Sequence, residues 1–375
     1  MVGREQAYIA EAIARGQLSA GGEFTERCAR WLEEEVGCEK ALLVHSATAA
    51  LELAALLLDI EPGDEIVMPS FTFVSTASAF VLRGGVPVFV DVRPDTLNLD
   101  ETLVEDAITE RTRAIAPVHY AGVACEMDAL AEIAARHHLA VVADAAQALG
   151  STYKGRPVGG LADLAALSFH ETKNVTSGEG GALLVNRPDL CERAEIMRDK
   201  GTDRSRFFRG LVDKYSWVDL GSSYGISELS AAFLWAQLEA ADELTSDRLR
   251  TWALYHEALA PLEQHGLLRR PVVPDEIHHN AHIYYVLVPD LATRTEVLAE
   301  LGRVDINAVF HYVPLHSSAA GRKYGRAHGA LPHTESTADR LIRLPIWSGM
   351  TEQQTLRVVD TVAAALHAPA AAAAI

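Results

Sequence analysis

The chain has 375 residues, and 33 Lys and Arg against 51 Asp and Glu give a formal net charge of −18 at pH 7. This acidic balance argues against a nucleic-acid-binding role, which usually needs a basic face. The 49% hydrophobic and 22% charged content, without any like-charge block, excludes intrinsic disorder as a description of the whole chain. At roughly 100–200 residues per domain, we expect two or three domains, or one large α/β domain with an appendage.

The N-terminal sequence and the cysteines indicate where in the cell the protein is expected. The N-terminal MVGREQAYIAEAI lacks the charged and apolar regions of a signal peptide, and no run of about 18 uncharged apolar residues follows. The four cysteines have no C-x-x-C spacing, so we expect reduced thiols rather than disulfides or a zinc cluster. We therefore expect a cytoplasmic protein without a membrane partner. Residues 368–375, rich in alanine, are predicted to form a frayed tail.

Between about residues 40 and 240 the chain alternates apolar, strand-like runs with helical segments. A helix that is apolar on most faces is predicted at 48–58, and an amphipathic helix at 127–138. The predicted strands are 65–69, 86–92, 114–120, 139–145, 164–169 and 181–186. This alternation indicates βαβ units and a mainly parallel sheet. The last two strands are too close for a helical crossover, so at least one is predicted to run antiparallel.

After about residue 245 the pattern becomes that of a smaller α+β unit. It predicts helices at 243–263, 293–302 and 351–366, and strands at 283–288 and 304–312. The predicted fold class is therefore α/β, with a large domain at 1–245 around a mostly parallel mixed sheet and a smaller C-terminal α+β domain at 246–375. We expect an N-terminal arm of about 25 residues to pack against the smaller domain or a partner.

An acid and a lysine follow two of the predicted strands. Asp144 ends the apolar run LAVVA, and Lys173 lies in SFHETKNVTSGEGG (168–181), just after another apolar strand. Ligands of open α/β sheets bind beyond the carboxyl ends of strands. A lysine and a carboxylate in one pocket suit pyridoxal 5′-phosphate (PLP), because the lysine amine condenses with its aldehyde and the carboxylate keeps its pyridine nitrogen protonated. Taken singly, the acid is also explained as a cap or ion-pair member, and the lysine as a solvated side chain.

A phosphate site is predicted at the start of the first apolar helix. The segment HSATAALEL (45–53) places Ser46 and Thr48 immediately before that helix, where backbone N–H groups and hydroxyls bind anions. An ordinary helix N-cap is the alternative interpretation. Ser168 offers a further hydroxyl near the lysine, and the GEGG turn indicates a close backbone approach.

With these segments the sequence resembles the DegT/DnrJ-type nucleotide-sugar aminotransferases, a family with the fold-type-I PLP-dependent architecture. The resemblance runs from about residue 18 to 366. Three segments look closest to the dTDP-4-amino-4,6-dideoxygalactose transaminase group: VHYAGVACEMD, SFHETKN and FFRGLVDKYSW (207–217). Other matching segments are GDEIVMPSFTFVST (63–76), VFVDVRPDTLNLD (88–100), VVADAAQALGSTYKGRPVG (141–159) and HYVPLH (311–316).

The resemblance implies roles at the cofactor. Lys173 matches the catalytic lysine that binds the cofactor aldehyde, Asp144 the carboxylate on the pyridine nitrogen, and Gln147 the residue near the ring hydroxyl. Further cofactor-binding positions are the stacking ring Phe73, the phosphate turn Ala47–Thr48, and the phosphate ligand Ser168. Several relatives supply an asparagine from the partner subunit in a G-x-N-x-R segment. Here Ser223 takes the asparagine position and Gly225 the arginine position.

On the substrate side, the resemblance places His311, Tyr312 and His316 in a segment near the nucleotide-sugar. A satisfied polar edge of a strand and turn is the alternative. Lys214 ends a basic stretch, residues 198–214, that offers donors for a pyrophosphate. A solvated loop explains that stretch equally well. No metal ligands are assigned.

The implied activity is transfer of an amino group from L-glutamate to C4 of dTDP-4-keto-6-deoxy-D-glucose, by a homodimer with shared active sites. The amine stereochemistry, galacto or gluco, is left open. Alternatives are action at another keto position, a non-catalytic scaffold, and a dehydrating relative. Dehydrating relatives carry histidine at the lysine position, so Lys173 disfavours the last. A metal-dependent hydrolase is suggested by the 15 histidines, but HExxH spacing is missing.

Overall fold

The computed structural model describes residues 1–367, so the predicted frayed tail at 368–375 lies outside the described residues. Its helices are α1 (Glu5–Arg15), α2 (Glu23–Val36), α3 (Ala47–Leu57), α4 (Val74–Val81), α5 (Val104–Ala107), α6 (Met127–His137), α7 (Cys191–Arg198), α8 (Arg204–Phe208), α9 (Glu228–Leu238), α10 (Ala241–Ala258), α11 (Ala260–Gln264), α12 (Leu291–Arg303), α13 (Ala319–Tyr324), α14 (Pro332–Arg340) and α15 (Glu352–His367). Its strands are β1 (Lys40–Val44), β2 (Glu65–Pro69), β3 (Val86–Val90), β4 (Thr112–Ile115), β5 (Ala140–Asp144), β6 (Thr152–Tyr153), β7 (Arg156–Pro157), β8 (Leu164–Ser168), β9 (Gly181–Val185), β10 (Ile277–His278), β11 (Tyr284–Leu287), β12 (Arg326–Ala327) and β13 (Leu341–Leu344).

An eight-stranded sheet organises most of the chain, in the order β1-β9-β8-β5-β4-β2-β3-β12. Strand β9 pairs antiparallel with both β1 and β8, while the pairs from β8 to β12 are parallel. The predicted mostly parallel mixed sheet is confirmed, and so is the antiparallel strand among the last two. This topology places the carboxyl ends of β2, β4, β5 and β8 along one edge.

Helices cover both faces of this sheet, which explains why its strands read as continuous apolar runs. All five residues of β2 and of β9 are buried. One core packs α2, α6 and α9 against the sheet, and a second packs α3, α4 and α7 against the other face. Helix α3 is apolar on nearly every side, as its sequence predicts, because it lies between the sheet and neighbouring helices.

The C-terminal part forms its own core around the two-stranded antiparallel sheet β11–β13, against which α10, α12 and α15 pack. It is also tied to the large sheet, because β12 pairs with β3 at the sheet edge. The predicted strand at 304–312 is wrong, since only Val309 forms an isolated bridge, with Arg343. Asp305 has a left-handed φ of 57°, which interrupts an extended run, and β13 pairs with β11 instead.

Two further predictions differ from the structure in detail. The strand predicted at 114–120 ends at Ile115, because Pro117 has no N–H for the ladder and a 3-10 turn begins at Tyr120. The N-terminal arm packs mainly on α9 of the large sheet region, and the expected packing against a partner stays a prediction. There the Tyr8 hydroxyl donates to Glu239 at 2.8 Å, and the Gln237 amide donates to Glu5 at 2.7 Å.

None of the helices within residues 1–367 has both the length and the apolar composition that a membrane span requires.

Candidate active site

A cavity of about 600 Å³ opens at the edge where the parallel strands end. The turns after β1, β2 and β4 and the ends of β5 and β8 supply one side of it, and residues 282, 310–312 and 343 of the C-terminal part supply the other. Nine residues predicted from the sequence line this one cavity: Ala47, Thr48, Phe73, Asp144, Gln147, Ser168, Lys173, His311 and Tyr312.

Asp144 is held in place as the last residue of β5, between β4 and β8, and only 6% of it is exposed. One carboxylate oxygen accepts a hydrogen bond from the Thr76 hydroxyl at 2.7 Å, and the other accepts from the Ala146 backbone N–H at 3.1 Å. Thr76 is in turn hydrogen-bonded to Thr72 at 2.8 Å. These donors fix the orientation of a buried carboxylate in the wall of the cavity.

Lys173 lies in the loop after β8, and that loop is anchored to the C-terminal part. The Asn174 amide donates to the Asn280 carbonyl at 2.7 Å, and its oxygen lies 3.1 Å from His282 Nδ1. Burial lowers the pKa of Lys173 to about 8; the charge of Asp144 opposes this shift and that of Arg343 adds to it. The amine is therefore neutral far more often than a solvated lysine amine, as a nucleophile or a base requires.

The turn that begins α3 has free donors. Ser46 caps the helix by accepting from the Ala49 N–H at 3.1 Å, but the N–H groups of Ala47 and Thr48 have no acceptor within residues 1–367. A Cβ on Gly181 would lie 2.4 Å from the Ser46 carbonyl carbon, so only glycine allows β9 to approach this turn. Two free N–H groups at a helix N-terminus suit a phosphate.

Phe73 presents an uncovered aromatic ring. It precedes α4, is 56% exposed, and its ring centroid lies 6.4 Å from that of Tyr312. An exposed ring in a cavity is available to stack on a planar ligand.

Gln147 connects the two sides of the cavity. Its amide oxygen accepts from the Ala121 N–H at 2.7 Å, and its amide nitrogen donates to the Tyr312 hydroxyl at 2.7 Å. Burial raises the pKa of Tyr312, so the phenol keeps its proton. The two hydrogen bonds fix the orientation of the amide and leave the Tyr312 proton free for another acceptor.

His311 stacks on Tyr312 at 3.7 Å between ring centroids, and its Nδ1 lies 2.8 Å from the Tyr120 hydroxyl. Burial lowers the pKa of His311 to about 2, so the ring is neutral. Burial raises the pKa of Tyr120, and its hydroxyl has no other partner within the described chain. Tyr120 therefore donates to Nδ1, which assigns the imidazole proton to Nε2 and makes His311 a donor for a ligand.

Three predicted site residues lie outside the cavity of this chain. His316 is engaged with Ser70, at 2.7 Å from its Nδ1, and with Glu335, at 3.3 Å from its Nε2. Lys214 and Ser223 are exposed on the surface. Their role at a partner's site stays a prediction.

Sequence reasoning missed several residues that shape the site: Thr76, Tyr120, His282 and Arg343. Thr76 and Tyr120 lie inside segments that carried the family resemblance, but nothing in their spacing marks them. Arg343 had a signal, because it is the one charged residue in the apolar strand LIRL. A cation in a buried strand is unusual and calls for a partner.

The residues present fit PLP. The cavity offers a desolvated amine for the aldehyde, a buried carboxylate for the pyridine nitrogen, free N–H groups for the phosphate and an exposed ring for stacking. Within residues 1–367, no group of three or more His, Cys, Asp or Glu side chains is placed to hold a metal ion.

Known proteins are similar to this chain over nearly its whole length. The model of the DegT/DnrJ/EryC1/StrS aminotransferase family matches residues 1–363. GDP-perosamine synthase of Caulobacter vibrioides is 34% identical over 367 residues, which cover 95% of this chain and 94% of that protein. An uncharacterised protein of Methanocaldococcus jannaschii is 35% identical over 335 residues, covering 87% and 86%.

Solved structures share the fold. DesV of S. venezuelae superposes with a TM-score of 0.86 at 35% identity, covering 97% of this chain and 94% of that one. Spr1654 of Streptococcus pneumoniae, in its PLP form, superposes with a TM-score of 0.88 at 26% identity, covering 96% and 95%.

Proposed function

The chain belongs to the DegT/DnrJ/EryC1/StrS aminotransferase family and is a PLP-dependent sugar aminotransferase, and we propose that it transfers the amino group of L-glutamate to C4 of dTDP-4-keto-6-deoxy-D-glucose. The observation that carries the proposal is the meeting of Lys173 and Asp144 in one cavity, beneath the segment that contains His311 and Tyr312. The dTDP-linked substrate is favoured by the segments that resemble the dTDP-4-amino-4,6-dideoxygalactose transaminase group.

Bound PLP supplies an electron-withdrawing ring that stabilises negative charge on the carbon next to the transferred nitrogen. Lys173 then acts twice. Its neutral amine takes the proton from the α-carbon of the amino donor, and in the second half of the reaction it gives a proton to C4 of the sugar. Asp144 keeps the ring nitrogen charged, because its own oxygens are fixed by Thr76 and the Ala146 N–H. The single face on which Lys173 lies sets the stereochemistry of the new amine.

The C-terminal side orients the sugar in this proposal. His311 donates through Nε2, and the Tyr312 hydroxyl, held by Gln147, offers its proton to the same ligand. Because the two rings are stacked, they present their donors from one rigid unit.

We also propose a homodimer in which Ser223 and the basic stretch 198–214, with Lys214, face the partner's cavity, and His316 orients the loop beside it. Large apolar side chains around this stretch support a covering partner: Phe208 is 69% exposed, Leu211 61% and Trp217 77%. Sedimentation equilibrium should give twice the 40.6 kDa chain mass. A monomer that turns over normally would contradict the shared site.

The decisive experiment is incubation of the purified holoenzyme with dTDP-4-keto-6-deoxy-D-glucose and L-glutamate. We expect a 4-amino product, and the ring proton couplings in its NMR spectrum give the amine as axial or equatorial. The GDP-linked counterpart is the matched control substrate, because one relative is named for a GDP-linked product. Preferred amination of the GDP sugar, or of another ring carbon, would contradict the proposal.

A further inference from the structure

His282 is a buried histidine that lines the active-site cavity beside Lys173, and only 5% of it is exposed. The same two residues also line an adjoining hollow of about 10 Å³, which has the size of a single water molecule. Side chains that share the walls of so small a hollow lie close together. His282 is therefore a neighbour of the Lys173 amine.

A chain of hydrogen bonds fixes which nitrogen of His282 carries the proton. The Asn174 amide nitrogen donates to the Asn280 carbonyl at 2.7 Å, so the oxygen of this amide faces His282. That oxygen lies 3.1 Å from His282 Nδ1 and can only accept, so Nδ1 donates. Burial, together with nearby positive charges, lowers the pKa of His282 well below its usual value, so the ring is neutral. Nε2 therefore carries a lone pair, and it has no donor within residues 1–367.

The backbone around His282 is held in a conformation that few residues adopt. Ala281 has a left-handed φ of 50°, which costs free energy in a residue with a Cβ. The Asn280 side chain accepts from the His282 N–H at 3.0 Å and donates to the Gln147 carbonyl at 2.8 Å. The buried guanidinium of Arg248 donates to the His282 carbonyl at 2.5 Å. A strained backbone that is held from both sides fixes the position of this imidazole.

The Lys173 amine is not anchored in this way. Only burial and the charges of Asp144 and Arg343 act on its pKa, and no hydrogen bond holds it within the described chain. An amine on a flexible four-carbon stem turns among several orientations. Removal of a proton from carbon needs the nitrogen lone pair to be aimed at that proton. An acceptor that took one N–H of the amine would fix this direction.

We propose that His282 is a positioning residue, whose Nε2 accepts a hydrogen bond from the neutral amine of Lys173 and so aims the amine lone pair at the α-carbon of the amino donor. The inference rests on the proposed function and adds a residue to its first half. His282 is not the base, because its lowered pKa makes it a much weaker base than Lys173, whose pKa is about 8. The α-carbon gives its proton to Lys173 and keeps the electron pair, and His282 retains its own proton on Nδ1 throughout.

Two substitutions at His282 separate this role from a structural one. The amide of asparagine reaches the place of Nδ1, so His282→Asn keeps a contact with Asn174 and loses the acceptor. The longer amide of glutamine reaches the place of Nε2, so His282→Gln keeps an acceptor beside Lys173 and loses that contact. The half-reaction of each holoenzyme with L-glutamate alone is followed by the cofactor absorbance.

We expect the rate constant of this half-reaction to fall about tenfold in His282→Asn and about threefold in His282→Gln, as loss of a hydrogen bond predicts. The L-glutamate concentration that gives half the maximal rate should stay unchanged in both variants. The isotope effect with α-deuterated L-glutamate should rise in His282→Asn, because proton transfer becomes slower. His278→Gln, at an exposed histidine of the same segment, is the matched control and should react at the normal rate.

A faster reaction in His282→Asn than in His282→Gln would overturn the assignment, because a structural role predicts that order. Thermal unfolding of each variant separates loss of rate from loss of the fold.

A second measurement needs neither substrate nor cofactor. In the cofactor-free protein, the 15N spectrum should show His282 protonated at Nδ1 and not at Nε2. Lys173→Met removes the amine and should shift the Nε2 resonance, whereas Lys323→Met, at an exposed lysine on α13, should not. A proton on Nε2, or the same Nε2 resonance in Lys173→Met, would contradict the inference. Because no sugar or amino donor takes part, a wrong substrate in the proposed function would leave this result standing.

Discussion

The two sides of the cavity differ in how their polar groups are satisfied. On the sheet side, the side chains of Asp144 and Thr76 are hydrogen-bonded within the protein, and the free donors are the backbone N–H groups of Ala47 and Thr48, fixed at the start of α3. On the C-terminal side, Arg343 has no anion and His311 keeps a free N–H, among the residues described. The sheet side is thus preorganised for a group that stays bound, and the C-terminal side is completed only by ligands that come and go. Fixed donors for a resident cofactor on one side, and free donors for substrates on the other, suit a two-substrate reaction.

Removing the amine of the sheet side should have the largest effect. Lys173→Ala is expected to reduce turnover by about 10³-fold or more, because in the proposed mechanism this amine moves both protons. Steady-state rates and the cofactor absorbance band are the measurements. Lys323→Ala, an exposed lysine on α13, is the matched control and should retain full activity. Normal turnover in Lys173→Ala would refute its assignment.

Changes at the Asp144 carboxylate should lower turnover less than the loss of Lys173 does. Asp144→Ala is expected to lower kcat by about 10²-fold, because in the proposed mechanism this carboxylate keeps the ring nitrogen of the cofactor protonated. Thr76→Val removes one hydrogen bond to the same carboxylate and should lower kcat by about fivefold. If Thr76→Val lowered kcat as much as Asp144→Ala, activity would depend on the hydrogen bonds around the carboxylate as much as on the carboxylate itself.

The pKa of the Lys173 amine depends on charges from both sides of the cavity. In the cofactor-free protein its pKa is lowered to about 8, so the neutral amine is present above that pH and is lost as the pH falls through it. Labelling by an amine-selective reagent, read by peptide mass spectrometry, should therefore be half-maximal near pH 8, while exposed lysines follow the usual 10.5.

Changes on either side should move this midpoint in opposite directions. Asp144→Asn removes an anion that favours the charged amine, so the midpoint should fall. Arg343→Gln removes a cation that disfavours it, so the midpoint should rise. If both variants kept the labelling midpoint of the unmodified protein, burial alone would set the pKa of Lys173.

The smallest effect on activity is expected for Tyr120→Phe, which changes the hydrogen bonding of His311 on the C-terminal side. Tyr120→Phe removes the donor to His311 Nδ1, so the imidazole proton is no longer confined to Nε2. The KM for the keto-sugar should rise about threefold, and the 15N shifts of His311 should report a mixture of tautomers. Tyr285→Phe alters a ring that packs on Tyr120 without touching His311 Nδ1, and should change neither readout.

Sequence reasoning located the sheet side well, for a physical reason. Strand periodicity predicts where each strand ends, and parallel strands end at one edge, so residues such as Asp144, Thr48 and Lys173 were expected to meet from spacing alone. The resemblance then added Phe73 and Gln147, which also line the cavity.

On the C-terminal side, the resemblance named His311 and Tyr312, which line the cavity, but the backbone around them was predicted less well. The run VDINAVFHY has the composition of a strand, but the left-handed Asp305 interrupts it, and its residues 310–312 line the cavity instead. The partner of β11 is β13, which was not predicted, and with it comes Arg343.

The sequence by itself determined the class of the sheet, the ends of its strands and the residue types of the cofactor chemistry, because these follow from local periodicity and from how parallel strands align. Only the tertiary structure decided which hydrogen bonds orient Gln147 and His311, and which cation is left without a partner. Hydrogen bonds and unpaired charges depend on contacts between residues far apart in the chain, such as Tyr120 with His311 and Gln147 with Tyr312. No local pattern encodes such pairs.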